Sequence, residues 1–116
     1  MELPFTINEI YIVKKPVDFR KGINGLLKII NDQYDRNPCD GALYIFTSRA
    51  KDRIKCVYYD GTGSWLFYKI LNSGRFDWNM EGQDLISVTP EQLGWLLQGL
   101  CIDTGSVFKK FTPAFV

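Results

Sequence analysis

Three short apolar runs separated by turn-forming residues dominate the middle of this sequence, between residues 40 and 78. The runs span residues 42–46, 54–59 and 65–71, and they are rich in β-branched and aromatic side chains. Gly, Asp, Ser and Thr cluster between them, and such residues favour tight turns. Short runs bounded in this way are typical of strands joined by hairpins. We therefore predict a three-stranded antiparallel meander, and we expect it to be the core of the fold.

Alternation along the second run predicts which side chains face the core. Successive side chains of a β-strand point to opposite faces of the sheet. The even-numbered residues Ile54, Cys56 and Tyr58 are apolar or aromatic, so we interpret them as core. The odd-numbered residues mix charge with aromatic rings, and we expect them to form a basic and aromatic surface: Arg53, Lys55, Val57 and Tyr59.

The connection at residues 60–63 determines the register of the second hairpin. A loop of two or four residues places Lys55 opposite Tyr68, and it puts Trp65 and Lys69 on the core side. A three-residue loop shifts the register by one residue and reverses the faces. We favour the first pairing.

Elements on either side of the meander complete the prediction. Residues 7–13 alternate well enough for a strand, and residues 84–88 predict a last strand. Between residues 18 and 34 apolar side chains recur at spacings of three and four, which predicts an amphipathic helix. Either Asp18 caps that helix, or the helix begins later and residues 20–22 form a connecting turn. The sequence leaves both starts open.

A second helix has a clearer start signal. Thr89 suits the N-cap, Pro90 suits the first helical position, and Gln92 completes a capping box. Trp95 lies off the apolar stripe of this helix, so we expect it to be exposed and to bind a protein partner.

Length and composition favour one folded domain. With 116 residues, 46% of them hydrophobic, the chain is long enough for a single core. We predict a single α+β domain over residues 1–102, in which a mostly antiparallel sheet of about five strands packs with two helices. Residues 103–116 are expected to be disordered or to dock on a partner. No run reaches the roughly 18 apolar residues of a membrane span, and the N-terminus lacks a signal-peptide pattern, so we expect a cytoplasmic protein.

The sequence argues against an enzyme. It contains no histidine, which excludes Ser-His-Asp, Cys-His and histidine-metal sites. Cys39, Cys56 and Cys101 are widely spaced and predict neither a disulfide framework nor a zinc site, so we expect no cofactor and no metal. Cys56 fits a small buried hydrophobe. Asp60, just before a glycine, is expected to cap a turn.

Basic and aromatic residues interleave in the meander, as in several sheet proteins that bind nucleic acid. Bases near the start of the first helix would add phosphate contacts. The alternative is that the bases form an ordinary solvated face and the rings fill the core. The candidate DNA-binding residues are Arg20, Lys21, Arg49, Lys51, Arg53, Lys55, Lys69 and Arg75, with Tyr59, Trp65 and Tyr68 as candidate stacking or surface aromatics.

Several motifs in order resemble one family of transposon proteins. They are GALYIF, DRIK, YYDGTGSWLFYK and SGRFDW in the meander, PVDFRKG before the first helix, and TPEQLGWLLQG in the second helix. This pattern resembles the accessory proteins of insertion-sequence-66 transposons, which the second reading frame encodes and which are often called TnpB. The matching motif residues are Asp18, Arg20, Lys21, Gly22, Asp52, Arg53, Lys55, Asp60, Gly61, Gly63, Trp65, Lys69, Gly74, Arg75 and Phe76.

The resemblance implies an accessory factor of transposition and not a catalyst. Proteins of this kind are encoded beside a DDE-type transposase and are needed alongside it. The expected partners are the transposase and the DNA at the element ends, with no membrane, and a homo-oligomer is compatible with the pattern. The alternative is a pure adaptor that binds the transposase without touching DNA. Compared with the family, this chain has fewer arginines in its first meander turn and only Lys109 and Lys110 as bases in its tail, so we expect weaker DNA binding.

Overall fold

Seven elements form along the described part of the chain, which comprises Ile7 and residues 9–100 of a computed structural model. The expected tail at residues 103–116 lies outside the described residues. The strands are β1 (Ile10–Val13), β2 (Leu43–Thr47), β3 (Arg53–Tyr59), β4 (Ser64–Ile70) and β5 (Leu85–Val88), and the helices are α1 (Ile23–Tyr34) and α2 (Pro90–Leu97).

The five strands form one sheet in the order β4-β3-β2-β1-β5. Neighbouring strands are antiparallel except β1 and β2, which are parallel and are connected through α1. A parallel pair needs a long crossover of this kind. The predicted α+β class, with about five mostly antiparallel strands and two helices, is confirmed. The meander also forms, but its third strand is an edge of the sheet, so the expectation that the whole meander is core is wrong for β4.

The β3–β4 register follows the pairing that the sequence favoured. Residues 60–63 form a four-residue connection, and Lys55 lies opposite Tyr68. Trp65 is on the predicted core side, opposite Tyr58, yet 44% of its surface stays exposed. The reason is position: an edge strand has a neighbouring strand on one side only.

Apolar clusters lie on both faces of the sheet. On one face, Leu26 and Ile30 of α1 pack with Tyr44 and Phe46 of β2. On the other face, the buried Leu96 of α2 belongs to a cluster with strand residues and with the segment that follows β4. The sheet is therefore the middle of three layers, with the first helix on one face as predicted.

The segment after β4 does not continue the sheet. We expected residues 75–78 to extend it, but they have no strand structure. Phe76 and Trp78 are buried there, and the Trp78 indole N–H donates to the carbonyl of Lys14 at 2.9 Å. The apolar residues of this segment therefore cover the core and do not pair with a strand.

α1 begins at the later of the two starts that the sequence left open. Its N-cap is Gly22, which makes no side-chain cap. Asp18 accepts a hydrogen bond from the backbone N–H of Arg20 at 2.9 Å and pairs with the Arg20 guanidinium at 2.7 Å. These hydrogen bonds favour the carboxylate and hold the pKa of Asp18 well below its usual range. A cap on α1 by Asp18 is therefore wrong, and the connecting turn is correct.

α2 begins as predicted. The Thr89 side chain accepts from the backbone N–H of Gln92 at 3.1 Å, and the Gln92 side chain accepts from the backbone N–H of Thr89 at 2.9 Å. With Pro90 at the first helical position, this capping box satisfies two N–H groups that would otherwise lack partners.

Candidate nucleic-acid interface

One end of the sheet gathers most of the predicted basic residues. The parallel strands β1 and β2 end there, and β3 begins there. The loop before α1 reaches the same end, because the backbone N–H of Val17 donates to the carbonyl of Thr47 at 3.0 Å. The basic end of the sheet, as we call it, consists of six residues on three loops and on the start of β3: Arg20, Lys21, Arg49, Lys51, Arg53 and Arg75.

Lys55 holds the loop before α1 against the sheet. Its ammonium group donates to the carbonyl of Phe19 at 2.9 Å and to that of Lys21 at 3.0 Å. The same group lies 4.9 Å from the centroid of the Phe19 ring and 5.0 Å from that of Tyr68, within the range of cation–π attraction. Lys55 thereby fixes the position of the loop that contains Arg20.

The prediction that Lys55 lies on an exposed basic surface is wrong. The side chain is only 6% exposed, and Val57 on the same face is fully buried. Both lie under α1 and its preceding loop. Alternation in β3 separated the two faces correctly, but it did not show that a helix covers the second face. Val57 was the available signal, because an apolar residue beside Lys55 favours a covered face.

Two of the predicted aromatics lie far from the basic end. Tyr59 ends β3, six residues after Arg53, which corresponds to about 20 Å along a strand. Trp65 follows the same β3–β4 turn, where its indole N–H donates to Asp60 at 2.8 Å. Tyr68 is close to the basic end, and its hydroxyl accepts from the Arg53 guanidinium at 3.3 Å. Of the three predicted aromatic residues, Tyr68 therefore lies beside the basic side chains, whereas Tyr59 and Trp65 do not.

The basic residues outnumber the carboxylates that pair with them. The Arg20 side chain is 92% exposed although it pairs with Asp18. The Arg53 side chain is 46% exposed and lies 3.8 Å from Asp52. The hydrogen bond to Tyr68 raises the pKa of Arg53, so this side chain stays protonated at any physiological pH. The basic end thus keeps an excess of positive charge at the surface.

Backbone hydrogen bonds shape the turn between β2 and β3. The N–H of Lys51 donates to the carbonyl of Ser48 at 3.0 Å, and its carbonyl accepts from the N–H of Phe76 at 2.8 Å. The second bond places Arg75 beside the turn. Lys51 has a φ of 62°, a left-handed conformation that costs a non-glycine residue about 1–2 kcal/mol. The surrounding bonds therefore hold the turn in a strained shape.

The N-terminus of α1 also points toward the basic end. Its first turn contains no acidic residue, and Gly22 offers no side-chain cap. The first N–H groups of a helix have no intrahelical partner, and the helix dipole adds partial positive charge there. Helix N-termini of this kind attract phosphate groups, so α1 adds to the attraction that the bases exert on an anion.

Lys69 and Trp95 lie apart from the basic end. The Lys69 ammonium donates to the carbonyl of Leu97, the last residue of α2, at 3.3 Å. Lysine in this position stabilises a helix C-terminus. Lys69 is thus on the opposite face of the sheet from Arg53, and the fold does not bring the two together. Trp95 is half-buried on α2 and not fully exposed as we expected.

Two kinds of feature are absent from Ile7 and residues 9–100. No helix there is long and apolar enough to cross a membrane. No group of three or more His, Cys, Asp or Glu side chains in that part of the chain is placed to hold a metal ion.

Comparisons with known proteins agree with the motif resemblance. A family model described as "IS66 Orf2 like protein" matches residues 8–106. Two uncharacterized proteins of Sinorhizobium fredii (strain NBRC 101917 / NGR234) are similar over 91 residues: y4jC is 34% identical, with 78% of each chain covered, and y4hO is 35% identical, with 78% of this chain and 79% of its own covered. No solved structure gives a significant match. Because the family model matches most of its length, this chain belongs to the IS66 Orf2-like family.

Proposed function

We propose that this protein assists IS66 transposition by binding element DNA through the basic end of the sheet, without catalysing strand cleavage. Membership of the IS66 Orf2-like family supports an accessory role in transposition. The observation that supports the DNA contact is that six basic side chains and the N-terminus of α1 converge on one end of the sheet. Arg and Lys side chains and helix N-termini are the groups that bind DNA phosphates.

The fold gives each part of this surface a distinct task. Arg53 donates to Tyr68 through one guanidinium nitrogen and keeps further N–H groups for a phosphate. Lys55 holds the loop that contains Arg20 and Lys21. The loop is therefore already ordered before DNA binds, and binding does not have to supply the free energy of ordering it. The Tyr68 ring, 46% exposed, adds an aromatic surface for a sugar or an unpaired base.

The carboxylates at the basic end fit a positioning role. Asp18 pairs with Arg20 at 2.7 Å, and Asp52 accepts from the hydroxyl of Ser48 at 3.3 Å within the β2–β3 turn. Asp18 and Asp52 therefore each order a loop that carries basic side chains. The chemistry of strand cleavage belongs to the transposase in this proposal, and the present protein contributes binding.

A salt titration of two variants tests the surface. In Lys51→Gly, one charge is lost and the left-handed strain is relieved, so the fold should keep its stability. In Arg53→Ala, a second charge of the same surface is lost. Each variant should reduce the slope of log affinity against log salt by about 0.9 for each phosphate contact removed. Fluorescence anisotropy with a labelled element-end duplex measures the slope.

Lys28→Ala is the matched control. Lys28 is exposed on α1 beyond its first turn, where it lies 3.8 Å from Asp32. Its loss should leave both affinity and slope unchanged. If Lys51→Gly and Arg53→Ala also kept the wild-type slope, the basic end would not be the DNA surface.

A second candidate function is binding of the transposase through α2. Trp95 is only half-buried on that helix, and Glu91 lies exposed in its first turn. Aromatic side chains are enriched at protein interfaces. In this case Trp95→Ala should weaken co-precipitation of the transposase without changing the DNA anisotropy, and Arg53→Ala should do the reverse. If the wild-type protein bound no DNA at low salt, and Trp95→Ala abolished its binding to the transposase, the protein would be a pure adaptor.

A further inference from the structure

The two edges of the sheet differ in how well they are protected. β5 has only four residues, and a strand this short offers few groups for pairing with another strand. β4 has seven residues, pairs with β3 without a bulge, and contains Lys69 as its one charged residue. A long apolar edge of this kind is a template for a further strand. Four large side chains of β4 are substantially exposed: Trp65 at 44%, Leu66 at 38%, Tyr68 at 46% and Ile70 at 54%.

Alternation of the backbone hydrogen bonds shows which groups of β4 point outward. Just beyond the ends of β4, the N–H of Leu71 donates to Asp52 and the carbonyl of Gly63 accepts from Asp60. Bonded and non-bonded pairs alternate along an antiparallel ladder. The odd-numbered residues of β4 therefore bond to β3, and the even-numbered residues point their N–H and C=O groups away from the sheet: Ser64, Leu66, Tyr68 and Ile70.

We propose that β4 pairs antiparallel with β4 of a second copy of this chain, about a two-fold axis at Phe67. This register places Leu66 opposite Tyr68 of the partner subunit and Ser64 opposite Ile70 of the partner subunit. All outward N–H and C=O groups then face one another, which gives about eight hydrogen bonds. Other symmetric registers that match these groups leave part of β4 unpaired. The result is one continuous sheet of ten strands.

The side chains of β4 complement themselves in this register. On the α1 face, Leu66 and Tyr68 of each copy form apolar cross-strand pairs. On the α2 face, Phe67 meets Phe67 of the partner subunit on the axis. Trp65 lies opposite Lys69 of the partner subunit, a pairing that allows cation–π attraction and keeps the two lysines apart.

The contact is small for a protein interface, and interfaces of this size are typical of weak, transient complexes. Covering the exposed parts of the four large side chains buries on the order of 400 Å² per copy, against about 800 Å² for a standard interface. We therefore expect a reversible dimer that forms in the micromolar range of concentration and not in the nanomolar range.

The dimer would present two basic ends in opposite directions, because the two β4 strands are antiparallel. Only this consequence, a subunit pair able to hold two DNA segments, rests on the proposed function. Dimerisation itself is measured without DNA, so failure of one proposal leaves the other standing.

Sedimentation equilibrium of the full chain from about 1 to 500 µM tests whether the dimer exists. We expect the weight-average mass to rise with concentration from that of one chain toward that of two. A single-chain mass at every concentration would overturn the proposal, including the case in which the chain's own residues 101–116 cover β4.

Cross-linking tests the register. The chain carries Cys39→Ser, Cys56→Ala and Cys101→Ser, because Cys56 pairs with residue 67 across β3 and β4 and would compete for a disulfide. In this background Phe67→Cys brings two thiols together on the axis at a non-hydrogen-bonded pair, where Cα atoms lie about 4.5 Å apart and a disulfide is feasible. With oxidised glutathione as the oxidant, this variant should give a covalent dimer on a non-reducing gel. Ile70→Cys is the control. Residue 70 is 54% exposed, so its thiol is more accessible to random collisions between molecules. In the proposed register, however, the two copies of residue 70 lie at opposite ends of the paired strands. Equal or greater cross-linking of the control would overturn pairing about Phe67. The absence of cross-linking in both variants would also overturn it.

Discussion

At the scale of single residues, Lys55 connects the fold to the candidate surface. Its ammonium group is the donor for the carbonyls of Phe19 and Lys21, and it lies between the rings of Phe19 and Tyr68. A buried charge is tolerated only when it is paired or hydrogen-bonded, and two carbonyls with two aromatic faces supply that environment. The sequence predicts only that this lysine lies in a strand, whereas the structure shows that it holds the loop before α1 against the sheet.

Replacement of Lys55 by methionine tests this role. Lys55→Met keeps most of the side-chain volume but leaves two carbonyls without their donor, so we expect a loss of about 2–3 kcal/mol in the free energy of unfolding. Urea denaturation measures the loss, and amide hydrogen exchange at residues 18–22 should speed up in the same variant. Lys28→Met, at an exposed lysine of α1, should change the free energy of unfolding by no more than about 0.5 kcal/mol. Equal effects of the two variants would contradict a special role for Lys55.

The cysteines give a second residue-scale prediction. Cys39 is exposed, whereas Cys56 is buried, and burial raises the pKa of the Cys56 thiol to about 12. Since the thiolate is the reactive form, a Cys101→Ser variant at pH 8 should show one thiol that reacts quickly with a disulfide reagent. The second should react only after urea unfolds the protein. Two fast thiols in the folded variant would show that Cys56 is accessible.

At the scale of elements, local patterns predicted most of the structure. Turn residues and apolar runs located β2, β3 and β4, and the four-residue connection predicted the β3–β4 register. The capping box located the start of α2. The parallel pairing of β1 with β2 depends on contacts between distant parts of the chain, and periodicity within one segment does not report it. The same limit concealed the cover over Lys55 and the exposure of β4.

The turn between β3 and β4 provides a pH test at this scale. One carboxylate oxygen of Asp60 accepts from the backbone N–H groups of Thr62 at 2.9 Å and Gly63 at 3.0 Å, and the other accepts from the Trp65 indole. Gly61, with a φ of 102°, completes the turn. These bonds, above all that from the Thr62 N–H, lower the pKa of Asp60 to about 2 from an ordinary 3.8. The expected turn-capping role of Asp60 is confirmed.

The sign of the pH dependence follows from the lowered pKa. The carboxylate of Asp60 stabilises the turn fully above about pH 4, and the stabilisation is lost as the pH falls toward about 2. The indole N–H resonance of Trp65 should therefore shift between pH 4 and pH 2 in NMR spectra. In Asp60→Ala this shift should disappear. A midpoint near pH 4 in the wild type would mean that the hydrogen bonds do not form in solution.

At the scale of the whole molecule, the three-layer arrangement separates three surfaces. The basic end lies where β2 meets β3, the apolar edge follows β4, and Trp95 lies on α2 on the far face from α1. Arg53 at the basic end and Trp95 on α2 lie on different surfaces, so we expect substitution of either one to affect one kind of binding only. Tyr68 is the exception, because it belongs to the apolar edge and its hydroxyl also contacts Arg53 of the basic end.

The central claim is that this protein binds DNA through phosphate contacts, and one titration tests it most directly. Fluorescence anisotropy follows the wild-type protein with a labelled element-end duplex and with a scrambled duplex, across a range of salt concentrations. We predict that log affinity falls linearly with log salt, with a slope of about −3 or steeper, as expected if at least three basic residues of the basic end contact phosphates. Absence of binding at about 50 mM salt, or an affinity that does not change with salt, would contradict the account.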